Sequence, residues 1–150
     1  MIVCASTYAI DQMLDKLSQI FADPSHIVRL GQSMTRTDLN EKYALEATKK
    51  NDAAAYERVQ NRIQHAKILI TPTFSLRQHC LEKSPLLFDT VIFDDASMIN
   101  ETDCLAALSH GANRAIFLGN RTLSQNMFLV NPSSINKTLF YRITTAIELE

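Results

Sequence analysis

The chain has no tryptophan, three glycines (Gly31, Gly111 and Gly119) and three cysteines in 150 residues. Each shortage closes off some chemistry. No glycine precedes a lysine, so the phosphate-cradling loop Gly-x-x-x-x-Gly-Lys-Ser/Thr does not occur. Cys4, Cys80 and Cys104 are odd in number, widely spaced and form no Cys-x-x-Cys. The four histidines add no zinc spacing. A disulfide framework and a structural zinc site are both disfavoured, and free buried thiols in a reducing compartment are expected. Long apolar runs are lacking as well: the longest fall far short of the ~20 residues that a membrane span needs. The opening residues 1–5 have neither the basic start nor the apolar stretch of a signal peptide. The expected location is the cytoplasm, with the nucleus as the alternative. Without a secretion signal, the Asn-x-Ser/Thr matches at Asn100, Asn120 and Asn136 read as chance. There is no excess of one charge: 15 Lys and Arg face 16 Asp and Glu. That argues against a wholesale basic nucleic-acid binder but leaves a local basic face open.

What is present is ordinary for one soluble globular domain: 46% hydrophobic and 21% charged residues, enough to build a core. Strands and helices alternate. Residues 1–5 read as a strand, then Ser6 or Thr7 caps a helix whose apolar stripe is Ile10, Met13, Leu14, Leu17, Ile20 and Phe21. Pro24 breaks that helix, and residues 26–30 form a second strand ended by Gly31. Residues 67–71 read as a strand stopped by Pro72, 74–82 as a short helix, and 90–94 as another strand. A helix over 101–110 carries acids in its first turn, a strand spans 114–119, and a helix spans 138–149. Residues 38–66 differ. Two charged helices with thin apolar stripes, separated by Lys49-Lys50-Asn51, suggest an arm on the surface or projecting from it. The fold expected is α/β: a parallel sheet covered by helices on both faces.

The segment Thr90-Val91-Ile92-Phe93-Asp94-Asp95-Ala96-Ser97 carries the strongest chemical signal. An apolar strand ending in two carboxylates is how a Walker B strand looks, with Asp94 holding Mg²⁺ and Asp95 acting as base toward the attacking water. The plain alternative is a strand ending in a polar turn that caps the next helix. Asn120, Arg121 and Gln125 follow the strand 114–119, where a neighbouring tip senses a γ-phosphate. Gly119 and Asn120 also fit an ordinary turn. Ser6, Thr7 and Tyr8 lie at one strand tip and Thr71 and Thr73 at another, suited to phosphate contacts or simply to helix capping.

Several segments, in order, resemble the first RecA-like domain of superfamily 1 helicases, in particular the group containing the up-frameshift RNA-decay helicase and senataxin. Ile2-Val3-Cys4-Ala5-Ser6-Thr7, with Ile10-Asp11-Gln12 behind it, resembles motif Ia. Val28 to Gly31 is similar to the strand that follows, and residues 67–73 to motif Ic. Residues 88–97 resemble motif II, F-D-x-V-I-I-D-E-A-S, with Glu101 where that group has glutamate in A-T-E-P. Residues 115–121 resemble motif III, and Thr138-Leu139-Phe140-Tyr141-Arg142-Ile143 the S-L-F-E-R-L helix. Together these cover nearly the whole chain.

The resemblance implies a RecA-like sheet of P-loop NTPase type, incomplete, with 38–66 as stalk and arm. It implies Mg²⁺ and ATP as cofactors of the parent family. It also implies single-stranded RNA or DNA as partner, held by Ser6, Thr7, Tyr8, Thr71 and Thr73. The departures matter equally. Motif I is missing, and so is the second RecA-like domain with its arginine finger. Asp95 replaces glutamate and is one methylene shorter, where a misplacement of about 1 Å can cost about 100-fold in rate. Asn120 replaces the motif III aspartate, Leu123 stands where the sensing glutamine belongs, and Gln125 comes two residues late. The expectation is a fragment or degenerate copy of an ATP-dependent helicase motor domain, without ATPase activity by itself. The alternative is a non-catalytic module binding a single strand or a protein partner. A phosphoreceiver-like domain is disfavoured, because no lysine closely follows Leu118-Gly119. No membrane partner is expected. With no P-loop strand beside it, residues 115–118 should form an exposed apolar edge, open to self-association.

Overall fold

The computed structural model describes residues 1–33, 35–45, 53–77, 88–124 and 138–147. Five strands form one sheet: β1 (Ile2–Cys4), β2 (Ile27–Arg29), β3 (Ile68–Pro72), β4 (Thr90–Asp94) and β5 (Arg114–Phe117). Their order is β2-β3-β1-β4-β5 and every pairing is parallel. Parallel neighbours require crossovers: α1 (Thr7–Ile20) runs between β1 and β2, α2 (Thr37–Tyr43) and α3 (Ala53–His65) between β2 and β3, and α4 (Glu101–Leu108) between β4 and β5, while α5 (Arg121–Ser124) and α6 (Leu139–Ile147) follow the last strand. The α/β class expected from the alternating pattern is therefore the observed one.

The strand period of two divides the core into two layers. Val3, Leu69, Val91 and Phe93 pack with Val59 and Ile63 of α3, Cys104 and Ala107 of α4, and Phe140 of α6. On the opposite face Cys4, Ile27 and Ile70 pack with Ile10 and Leu14 of α1 and with Leu39 and Tyr43 of α2. Helix α1 starts where Ser6 Oγ accepts the Ala9 amide at 3.2 Å and ends at Phe21, whose amide bonds the Leu17 carbonyl at 2.9 Å. Ile20, expected in the apolar stripe, points to solvent from the last turn.

Residues 38–66 do not stand off the sheet where they are described. Leu39, Tyr43, Ala55, Val59 and Ile63 are all buried. The thin stripe suffices because β2 is only three residues long and needs little cover. Residues 74–82 were expected to be helical. Thr73–Ser75 instead forms a 3₁₀ turn, and 78–82 lie outside the described residues. Helix α5 had no counterpart in the sequence reading. Helix α6 begins after Thr138, whose Oγ1 accepts the Tyr141 amide at 3.1 Å.

Strand β5 is the edge of the sheet beyond β4. Its four residues are exposed or half-buried, with Ile116 44% exposed, and Leu118 just after the strand is 52% exposed. Register sets Ile116 opposite Ile92, on the face that α1 covers only over β1 and its neighbours. No helix among the described residues is long and apolar enough to cross a membrane.

Candidate functional site

In a parallel sheet all C-terminal strand tips lie along one rim. The chain leaves β1 toward β2 in one direction and leaves β4 toward β5 in the other. The connections therefore diverge between β1 and β4, which is where such sheets open a crevice. Cys4 and Asp94 are register partners at that point. Asp94 is half-buried there. Burial, and after it the negative charge of Asp94, push the Cys4 thiol up to about 12, so the crevice floor holds an inert thiol rather than a nucleophile.

The turn after β4 is unusual. Asp95 sits at φ 53°, ψ 50°, the one non-glycine residue with positive φ among those described. Aspartate tolerates this left-handed geometry better than most side chains because its short polar group bonds locally. Ser97 Oγ donates to Asp95 Oδ1 at 2.8 Å, and the Met98 amide bonds the Asp95 carbonyl at 2.8 Å. The Ala96 amide reaches across to the Leu118 carbonyl at 2.7 Å, tying this turn to the exit of β5. Gly119 makes the crossing possible: a Cβ there would lie 3.0 Å from the Ser97 amide nitrogen and 3.2 Å from the Phe140 ring.

The remaining candidates serve the backbone more than a ligand. Asn120 Oδ1 accepts the Thr122 amide at 3.0 Å and so caps the start of α5, which opens with the half-buried Arg121. Gln125 lies outside the described residues. Ser6 is exposed but caps α1, Thr7 is half-buried, and Tyr8 is 70% exposed. On β3, Thr71 has no exposure and its hydroxyl donates to the Pro72 carbonyl at 3.0 Å, so its side chain is not a surface contact. Thr73 is half-buried at the start of the 3₁₀ turn. The rim thus brings Ser6, Thr7, Tyr8, Thr73, Asp94, Asp95 and Asn120 onto four neighbouring strand tips. It adds one residue the sequence reading passed over as a helix position: Phe74, 68% exposed. The available signal was an aromatic two residues after the proline that ends a strand.

Behind the rim, Asp11 of α1 is fixed by two groups. Arg29 Nη2 donates to its Oδ1 at 3.1 Å and Ser33 Oγ to its Oδ2 at 2.5 Å, while Arg29 Nη1 donates to the Gly31 carbonyl. Both charged partners are buried, so the segment 10–12 anchors α1 to the exit of β2. Glu101 of α4 and Arg142 of α6 form an ion pair that links these two helices.

For a magnesium–nucleotide complex the donor set is thin. Asp95 is engaged by Ser97, and no group of three or more His, Cys, Asp or Glu that could hold a metal exists among the described residues. These 150 residues also contain no Gly-Lys-Ser/Thr to cradle phosphates. The described residues do not by themselves fit such a complex. A cavity of about 450 Å³ lies away from the rim, lined by Leu45, Val59, Arg62 and His65. Arg62 there holds the Ala44 carbonyl at 3.0 Å and so closes the end of α2. No protein-family model matches the chain, and no curated protein matches it either.

Proposed function

We propose that this chain is a RecA-like module of helicase type, a fragment or degenerate copy of an ATP-dependent RNA or DNA helicase motor domain. It grips a single strand at the C-terminal rim of its sheet and hydrolyses no ATP by itself. One observation carries the reading. The segments resembling motifs Ic, Ia, II and III end in β3, β1, β4 and β5, which lie side by side in that order with their tips on one rim. Segments scattered over the sequence from Ile2 to Phe117 thereby converge on one surface beside a topological switch point.

Nucleotide turnover needs more than this rim supplies. A phosphate nest with its lysine and a water-orienting carboxylate must both be in place. The sequence has no such nest, and Asp95 is bonded to Ser97. In the parent family Mg²⁺ and ATP would sit at the Asp94 tip, and their chemistry there would be charge neutralisation of the transferred phosphate.

Two measurements test the reading. A phosphate-release assay with Mg-ATP, with and without oligouridylate or oligothymidylate, is expected to give no turnover; measurable Mg-dependent ATPase refutes the inactive part. Strand binding followed across a salt series is expected to weaken as salt rises, since phosphate contacts release counterions. The second reading, a non-catalytic binding module, is favoured by the engaged Asp95 carboxylate. It predicts that strand affinity is unchanged when ATP and Mg²⁺ are added, whereas a residual nucleotide site shifts it.

A further inference from the structure

The cavity beside α3 has a volume of about 450 Å³, within the range of roughly 300–1,000 Å³ typical of small-molecule sites. Ser25, just ahead of β2, and His65, just ahead of β3, lie on its wall, so it sits near the N-terminal ends of these strands and away from the strand tips. One side is apolar: Leu45 and Val59 line it, and Val59 is buried. The other side is cationic. Arg58, Arg62 and His65 line it from one stripe of α3, four and then three residues apart. No aspartate or glutamate is among the described residues that line the cavity. The acid nearest in sequence to Ser25, Asp23, accepts the Ser25 amide at 2.9 Å and lies 3.8 Å from His26 Nε2.

Arg62 is held in place without being neutralised. Its Nη1 donates to the Ala44 carbonyl at 3.0 Å and its Nη2 to the Lys42 and Tyr43 carbonyls, both at 3.5 Å. These acceptors fix the half-buried guanidinium from behind but carry no charge, so its positive charge stays uncancelled. Among the described residues no ion pair involves Arg62. His65 Nδ1 donates to the Asn61 carbonyl at 2.7 Å, which orients the ring and leaves Nε2 to a ligand. Water in the cavity meets the guanidinium but leaves Leu45 and Val59 wet. A neutral apolar molecule covers those two and strips the cation of water with nothing in return. A molecule with an apolar body and an anionic head meets both sides.

We propose that this cavity is a binding site for a small amphiphilic anion, a carboxylate or phosphate monoester on an apolar body, with its head on Arg62 and its body against Leu45 and Val59. The site is separate from the strand-tip rim and stands whether or not that rim binds a strand. Because the same guanidinium closes the end of α2, occupancy ties α2 to α3, and a bound anion stabilises the folded chain by mass action.

The test uses the full chain and two fluorescent probes built on one ring system: 8-anilinonaphthalene-1-sulfonate, which carries an anion, and N-phenyl-1-naphthylamine, which does not. Wild type is expected to bind the sulfonate about 10- to 150-fold more tightly than the neutral probe, the range for a hydrogen bond to a charged group. Arg62→Met should erase that preference and leave the affinity for the neutral probe unchanged. Leu45→Trp, which fills the cavity without touching a charge, should weaken both probes together. Comparing two probes on one variant separates a lost charge from lost folding, which moves both. Displacement of the sulfonate by octanoate, by phenyl phosphate or by both names the head that the cavity takes. Displacement by neither, or by inorganic phosphate as readily as by phenyl phosphate, overturns the class of ligand. Equal affinity of wild type for the two probes overturns the proposal, as does an undiminished preference in Arg62→Met. Equal loss of both probes in Arg62→Met assigns Arg62 to the end of α2 alone and overturns its role as head contact. Probe binding unaffected by Leu45→Trp places the probe elsewhere, as on the exposed Ile116 and Leu118, and overturns the cavity as the site.

Discussion

Replacing Asp11 by alanine should be among the most damaging single changes in this domain, because of what it leaves behind. Arg29 has no exposure at all and Asp11 is 6% exposed. Their contact is 3.1 Å, and the second Asp11 oxygen takes the Ser33 hydroxyl at 2.5 Å. Without the carboxylate, the guanidinium stays buried with only the Gly31 carbonyl as acceptor for Nη1, and its Nε has no partner among the described residues. Breaking a buried pair from one side costs about 3–5 kcal/mol, against a total stability of about 5–15 kcal/mol for a domain. Replacing both partners removes the stranded charge, so Asp11→Leu with Arg29→Met should recover most of the loss and can equal wild type. Urea unfolding followed by far-UV circular dichroism, with slopes compared to confirm the same cooperative unit, gives the four corners of the cycle. A cost below about 1 kcal/mol for Asp11→Ala, as for an exposed pair, refutes the argument. So does a double variant no better than the sum of its parts.

Two further outcomes follow from the same geometry. Burial raises the thiols of Cys4 and Cys104 to about 12, so neither should react with iodoacetamide at pH 8 in the folded chain. Both should label on unfolding, as mass spectrometry would show; rapid labelling of either in the native state contradicts their placement, while Cys80 lies outside the described residues. Among the described residues no strand pairs beyond β5, which exposes Ile116 with Leu118 just after it and carries neither lysine nor proline to blunt it, so a second copy is expected to pair there. Sedimentation should show concentration-dependent association that Ile116→Lys suppresses, and a wild-type monomer at high concentration would count against it.

How much could be read in advance differs by element. Strand β4 was legible to the residue, because a continuous apolar run bounded by acids admits few alternatives. Helix α1 was legible from its stripe and its serine cap. The exposed edge at β5 also appeared where expected, because no strand among the described residues pairs beyond it. Helix α3 was misjudged as part of a surface arm: three buried positions in a charged sequence give a weak periodic signal, and only the short β2 beneath explains why three suffice. Helix α5 is four residues long, below what any period can reveal. The anchoring role of Asp11 was hidden for a different reason. Its partners Arg29 and Ser33 are 18 and 22 residues away, and nothing local announces an ion pair inside a strand.

Asp95 shows how backbone and chemistry constrain each other at this rim. In the helicases the segment resembles, a glutamate stands at this position. Here the residue occupies the left-handed region, where the penalty for a side chain is about 1–2 kcal/mol unless a short polar group can bond locally. Aspartate does so through the Ser97 hydroxyl. A glutamate would carry its carboxylate one methylene further out and give up that fit. The shorter acid therefore suits a turn whose neighbours are the Leu118 carbonyl, Gly119 and Ser97, all within a few ångströms of one another. The same closeness that holds Asp95 in this conformation engages its Oδ1 with the Ser97 hydroxyl. A proton taken up at this turn would therefore go to Oδ2 or compete with that hydrogen bond, so turn stability and base strength at Asp95 are coupled through one side chain, Ser97.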